Sequence, residues 1–284
     1  MRRIQAILAL PALLCLVAAG AWSQEAPTSI LWAGTAVEHR GALIQAYSTA
    51  RSELDKALRD RNWTAAIEQE GSKFQSLPPA IVMDLDETVF DNSPFEAQRA
   101  LAGASYSETI WTTWAEAGRA APLPGALAFT IYARSRGVEV IYVTNRDAAL
   151  KKATRANLER DGFPLDPKAD TLYCKGEKPE WTSDKGTRRA EIARRYRILL
   201  LFGDDLGDFM SGAANTVERR RELSARYDDR WGTKWIVLPN AMYGSWENSL
   251  ALPSASPTGQ QQREAALRYL RQIAESPAAG AGGK

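Results

Sequence analysis

The sequence predicts an α/β fold: a parallel sheet covered by helices on both faces, with a small helical accessory region. Three observations carry this expectation. Four short runs, around 80–84, Val138–Val143, Ile198–Phe202 and Trp235–Leu238, are nearly continuously apolar, as strands buried on both faces are. Helical segments separate them, which is the pattern of parallel crossovers. The first three runs each end in polar residues, and open α/β sheets collect their ligands at those strand ends.

Leu43, Tyr47, Ala50, Leu54 and Leu58 recur at helical spacing, so roughly 35–70 is expected as an amphipathic helical segment. Pro78-Pro79 introduces the first strand. From Asn92 to Ala121 the chain reads as irregular to helical and carries Trp111 and Trp114. Pro124-Gly125 opens a helix that ends at Gly137. The second strand, Val138–Val143, runs into Thr144-Asn145-Arg146. A helix over about 147–161 stops at Gly162-Phe163-Pro164. Ser183-Asp184 cap another through Tyr196. The third strand leads into Gly203-Asp204-Asp205, and the fourth precedes Pro239. Gln260–Ala274 forms a last helix, and 277–284 is expected to be a disordered tail. The domain spans 24–276, with helical accessory parts at about 30–75 and 92–121. No internal repeat is visible.

Arg2 and Arg3 precede an apolar run from Ile4 to Ala21, and Ala21-Trp22-Ser23 offers a cleavage site, so 1–23 reads as a signal peptide. A periplasmic or secreted protein is expected. The alternative is an outer-membrane lipoprotein anchored through Cys15, but Leu14 stands where lipoprotein processing wants a small residue. Removing the leader takes two of the 36 basic residues and none of the 34 acidic ones. The balanced remainder has no basic field to attract a nucleic-acid polymer or an anionic membrane, and no stable membrane span is expected. Cys174 is left without a second cysteine, which excludes an intrachain disulfide. His39 is the sole histidine. Chemistry that needs several imidazoles is therefore excluded.

The strand-end residues are of complementary kinds. Asp84 and Asp86 follow the first strand, and alternation would point both past its end. Thr144, Asn145 and Arg146 follow the second, and Asp204, Asp205 and Asp208 the third, with Lys185 at a helix start between them. Carboxylates converging in this way suit Mg²⁺, which prefers hard oxygen ligands. A carboxylate is also a nucleophile towards phosphorus. Its attack on an anion needs neutralisation by metal and lysine, and hydroxyl and amide donors for the phosphoryl oxygens. A second carboxylate protonates the leaving oxygen.

In this order the residues resemble the motif series of the haloacid dehalogenase superfamily of phosphohydrolases. Asp84-Leu85-Asp86-Glu87-Thr88, Asp91-Asn92-Ser93-Pro94, Val143-Thr144-Asn145-Arg146, Ser183-Asp184-Lys185 and Leu238-Pro239-Asn240-Ala241-Met242-Tyr243-Gly244-Ser245-Trp246-Glu247 narrow the likeness. They are similar to the class C bacterial acid phosphatases, also described as 5′-nucleotidase surface lipoproteins. The likeness runs from about Trp32 to Glu247. It implies a Rossmann-like sheet, Asp84 as nucleophile and Asp86 as general acid/base. It implies Mg²⁺ on the Asp84 carboxylate, the Asp86 main-chain carbonyl and Asp204, with Asp208 nearby. Thr144, Asn145 and Lys185 would bind the phosphoryl group. Gly207 departs from relatives that carry an acid there.

The expected function is a Mg²⁺-dependent acid phosphatase acting on small phosphate monoesters through an aspartyl-phosphate. Trp111 and Tyr243, in segments the resemblance brings to the mouth of the site, are expected as an exposed stacking pair that favours nucleoside monophosphates. Trp114 and Trp246 are expected in the core. The alternatives are a phosphotransferase on the same fold and a non-catalytic binding or storage protein, the latter disfavoured because Asp84 is present. A homodimer is left open.

Overall fold

A computed structural model describes residues 27–252 and 259–275. The leader with Cys15 and the 277–284 tail lie outside them. Helices α1 (Thr28–Thr35) and α2 (Val37–Arg59) come first, then strand β1 (Pro79–Met83). The chain leaves through β2 (Phe90–Asp91), forms α3 (Ser93–Leu101) and α4 (Glu108–Ala117), and returns through β3 (Ala121–Pro122). Next come α5 (Ala126–Ser135), β4 (Glu139–Asp147), α6 (Lys151–Arg160), β5 (Leu172–Lys175) and α7 (Gly186–Ala193). The rest is β6 (Arg197–Gly203), α8 (Val217–Ala225), β7 (Trp235–Val237), α9 (Ser245–Ser249) and α10 (Gly259–Glu275).

The main sheet has the order β5-β4-β1-β6-β7, and every pairing in it is parallel. The chain steps from β1 outwards through β4 to β5, then crosses back to β6 and β7 on the other side. The strand order therefore reverses at β1, and crevices at such switch points hold ligands. Alternation divides the strands between two cores. Ile81, Met83, Val140, Tyr142 and Phe202 face α2 and α5, where Leu43, Tyr47, Leu54 and Phe129 meet them. Ala80, Val82, Ile141, Val143 and Leu201 face the opposite core with Ile192, Phe209 and Trp235. At Leu199 the register slips, so that Ala80 pairs with Ile198 but Ile81 with Leu200.

The expected helix over 35–70 is broken at Ala36, which is extended, and it ends at Arg59. Beyond it Trp63, Ala65 and Ala66 pack on the sheet as a loop. The buried Gln69 amide pins that loop to the carbonyls of Ala193 at 2.9 Å and Tyr196 at 2.8 Å. Thus α2 forms a full layer on the sheet, whereas α3 and α4 form an insertion that the antiparallel β2–β3 ribbon brackets. Strand β5 was not expected from the sequence, because a four-residue edge strand has too short an apolar run to read. Helix α8 was not expected either, since it buries no residue.

Candidate active site

Strand β1 ends at Met83, one residue before Asp84. Side-chain alternation ends there too, and the two aspartates diverge instead of pointing one way. Asp84, 7% exposed, accepts an ion pair from Lys185 Nζ. The same ammonium reaches Asp208 Oδ1 at 2.5 Å. Carboxylate oxygens of Asp84, Asp204 and Asp208 all lie within 4.8 Å of one another. Gly203 permits this closeness, because a Cβ there would fall 2.1 Å from Asp208 Oδ2. Asp208 is held in turn by the Asp205 amide at 3.0 Å, while Asp205 accepts from Gly207 N and from Ser245. Asn240 Nδ2 donates to Asp204 Oδ2 at 2.8 Å.

Three crowded acids strain the charge balance. Burial raises the Asp84 carboxyl to about 7; Lys185 opposes this, and the charges of Asp208 and Asp86 reinforce it. Burial likewise raises Asp204, helped by the charges of Asp84 and Asp208. Burial alone would lower the lysine, but the charges of Asp208 and Asp84 outweigh it and hold Lys185 above its ordinary value. Oxygen-only donors with too little positive charge among them fit a hard divalent cation; the cluster contains no imidazole or thiolate.

Beside Asp84, at the end of β4, Thr144 is buried and Asn145 exposed. Thr144 Oγ1 accepts from the Arg146 amide at 3.0 Å, and Asn145 Nδ2 donates to Ser183 O at 3.0 Å. The turn is thereby joined to the loop that carries Lys185. Arg188, which sequence reasoning missed, completes the joint with bonds to both. An arginine three residues beyond Lys185 reads locally as a solvated helix residue, so no signal marked it.

Asp86 faces the inserted helices. Its carboxylate takes a fork from the buried Arg146, with Nη2 at 2.6 Å and Nε at 3.1 Å, and a bond from Asn92 Nδ2 at 2.8 Å. Asn92 Oδ1 accepts from Trp114 Nε1 at 2.8 Å, which explains why Trp114 is buried. Glu87, at a left-handed φ of 58°, is buried behind Asp86. It accepts from the Asn92 amide at 2.8 Å and from the Tyr243 hydroxyl. Burial, with the nearby charge of Asp86, pushes Glu87 up to about 8. Trp111 is partly buried, with its edge-to-face contact on Phe95 at 5.2 Å and the Arg146 guanidinium 5.5 Å from its ring centre. Tyr243 is partly buried as well. Trp246, expected in the core, is 39% exposed. Lying in the short helix α9, which buries only Ser249, it has no core to enter.

The sequence profile of the HAD superfamily, subfamily IIIB (Acid phosphatase), matches residues 20–246. The class C acid phosphatase from Bacillus anthracis superposes with a TM-score of 0.73 at 32% identity, covering 85% of this chain and 94% of that one. Its tungstate-bound structure gives 0.74 with the same identity and coverage. A stem 31 kDa glycoprotein of Glycine max is 25% identical over 166 residues, which is 57% of this chain and 58% of that protein. The chain spans about half the length of the curated relatives it matches, from 46% to 58%.

Proposed function

The chain belongs to the acid phosphatases of HAD superfamily subfamily IIIB, and we propose that it is a phosphomonoesterase that hydrolyses small phosphate monoesters through a phosphorylated Asp84. The observation that carries this reading is the meeting of Lys185 with Asp84 and Asp208 beside the Thr144–Asn145 turn. An Asp84 oxygen attacks phosphorus, the bond to the leaving oxygen breaks, and Asp86 gives that oxygen its proton. Water then attacks the acyl phosphate; Asp86 takes the water's proton, and phosphate leaves with Asp84 restored. Thr144, Asn145 and Lys185 bind the phosphoryl oxygens that gather charge during both steps. Asp84, Asp204 and Asp208, with the Asp86 main-chain carbonyl, would hold a Mg²⁺, which neutralises charge when bound. The ammonium of Lys185 supplies part of the same neutralisation from the protein itself.

Trp111 and Tyr243 give the reading its substrate preference. Each is anchored by one side, Trp111 through Phe95 and Arg146 and Tyr243 through Glu87. Of these anchors Arg146 pairs with Asp86 and Glu87 follows it in the chain, so both rings are tied to the carboxylate that this reading assigns to the leaving oxygen. An aromatic leaving group such as a nucleoside suits these faces. The protein is read as exported to the periplasm or beyond; among the described residues no helix is long and apolar enough to cross a membrane.

Phosphate release from a nucleoside monophosphate, a hexose phosphate and an aryl phosphate tests the reading. We expect release from all three, fastest at low concentration with the nucleotide, abolished by chelation and restored by Mg²⁺. Full turnover in the chelated, metal-free protein would refute the metal's part. Addition of an alcohol separates hydrolysis from phosphotransfer: a phosphorylated alcohol as the main product would favour the transferase.

A further inference from the structure

Arg188 and Arg189 are neighbours on α7, both fully buried, and they are treated differently. Arg189 has an acid partner, Glu68, at 2.9 Å, and it also donates to the carbonyls of Gly207 and Asp208. For Arg188, no carboxylate among the described residues forms an ion pair. Its Nη1 donates to Thr144 O at 2.5 Å, and its Nη2 to Asn145 Oδ1 at 2.6 Å and Thr182 O at 2.7 Å. Its buried Nε has no hydrogen-bond partner among the described residues, as is true of Arg189 Nη2, but Arg189 has Glu68 to balance its charge. An interior guanidinium without a counter-charge is costly, and such charges are usually paired or neutralised. Burial brings Arg188 down only to about 10, with Asp84 the leading charge that opposes the fall, so it remains a cation at neutral pH.

Its three acceptors belong to the two segments that flank the phosphoryl position. Thr144 and Asn145 lie near the end of β4, where its register with β5 shifts, while Thr182 opens the loop that delivers Lys185. The fork therefore fixes the hydroxyl and amide on one side relative to the ammonium on the other. The geometry also leaves positive charge unspent behind the turn, and a phosphoryl dianion lying on it would supply the missing negative charge.

We infer that Arg188 is a positioning residue for the phosphoryl pocket, holding the Thr144–Asn145 turn against the Lys185 loop and lending its charge to the bound anion. The inference rests on the phosphatase reading above. Arg188→Lys keeps the charge and loses the fork, while Arg188→Gln loses both. Competitive inhibition by inorganic phosphate is the main readout, because its Ki does not depend on what fraction of a preparation is folded. For Arg188→Lys we expect Ki and the KM for an ester to rise together about tenfold, and for Arg188→Gln about a hundredfold, as loss of hydrogen bonds to a charged group predicts. Combining Arg188→Lys with Asn145→Ala should add less than the separate effects, since one bond joins them.

Three results would overturn the inference: an unchanged Ki in folded Arg188→Lys protein, strict additivity with Asn145→Ala, or failure of both Arg188 variants to fold. The last would make the residue structural only. If the unaltered protein releases no phosphate, the phosphatase reading falls and the inference with it. If it does release phosphate and the Ki is indifferent to Arg188, only the inference falls.

Discussion

Asp84 and Asp86 stand two residues apart, yet they belong to regions built by different means. Around Asp84 the partners come from the ends of sheet strands or the loops and helices that follow them, and apart from the Thr88 hydroxyl at 3.5 Å the side-chain neighbours are charged: Lys185, Asp204 and Asp208. Around Asp86 the partners come from an insertion and from β4, and the contacts mix one arginine fork with amide and aromatic groups: Arg146, Asn92, Trp114 and, through Glu87, Tyr243. The first region is positioned by a buried five-strand sheet, and the chemistry proposed for it would be the same for any phosphate ester. The second is positioned by side chains drawn from an insertion and a distant loop, where on the proposed reading the variable part of the substrate would lie. A fixed scaffold for the common step and a separately supported wall for the variable one is an arrangement that lets specificity change without disturbing the chemistry.

That comparison breaks most sharply at Asp84. Asp84→Asn keeps the shape of the charged region but removes the oxygen proposed to attack phosphorus. The expected loss of turnover is about a thousandfold or more, because no neighbouring group can substitute for the nucleophile. Steady-state hydrolysis by pure, folded variant measures it. Appreciable residual turnover would mean that the charged region has another role.

The two regions were also unequally legible in the sequence. Asp84, Thr144 and Asp204 were found because each follows an apolar run, and a run that ends in a polar group is a local pattern. Lys185 could be placed only because it falls between two such strand ends. The common direction expected of Asp84 and Asp86 failed for an equally local reason: β1 stops at Met83, and a turn closed on Leu85 O takes over. Around Asp86 the determining contacts are remote. Glu87 meets Tyr243 across 156 residues, and Arg146 reaches Asp86 across 60. No single-sequence periodicity encodes such pairs. The residues themselves stood in view within the quoted motifs, but their partners did not. Strand β5 was missed because a four-residue edge strand has too little apolar pattern to read.

Arg146 tests whether the second region takes part in the chemistry. Its fork holds the Asp86 carboxylate, so Arg146→Ala frees that group to turn away. We expect about a hundredfold loss of kcat on an alkyl ester, within the range that a positioned acid contributes. An aryl ester with a good leaving group needs little protonation, so its loss should be several-fold smaller. Parallel kcat measurements on the two esters decide the matter. Equal losses would show that Arg146 supports the fold and not the acid.

Trp111 gives the smallest and most selective effect. Its ring is held edge-on by Phe95 and faced by the Arg146 guanidinium, and with Tyr243 it forms the aromatic part of the second region. A nucleobase stacked on an aromatic face gains about 1–3 kcal/mol, with little regard to which base it is. Such a stack would be remote from phosphorus and would persist unchanged through the reaction, so it would belong to KM and not to kcat. Trp111→Ala should therefore raise KM for a nucleoside monophosphate about tenfold while leaving kcat within a factor of about two. The contact with Arg146 supplies the control, because a loosened Arg146 would lower kcat on every substrate. A small ester without an aromatic ring should accordingly keep both constants. If both substrates suffer equally in kcat, the ring serves to steady Arg146, and the preference for nucleotides loses its physical basis.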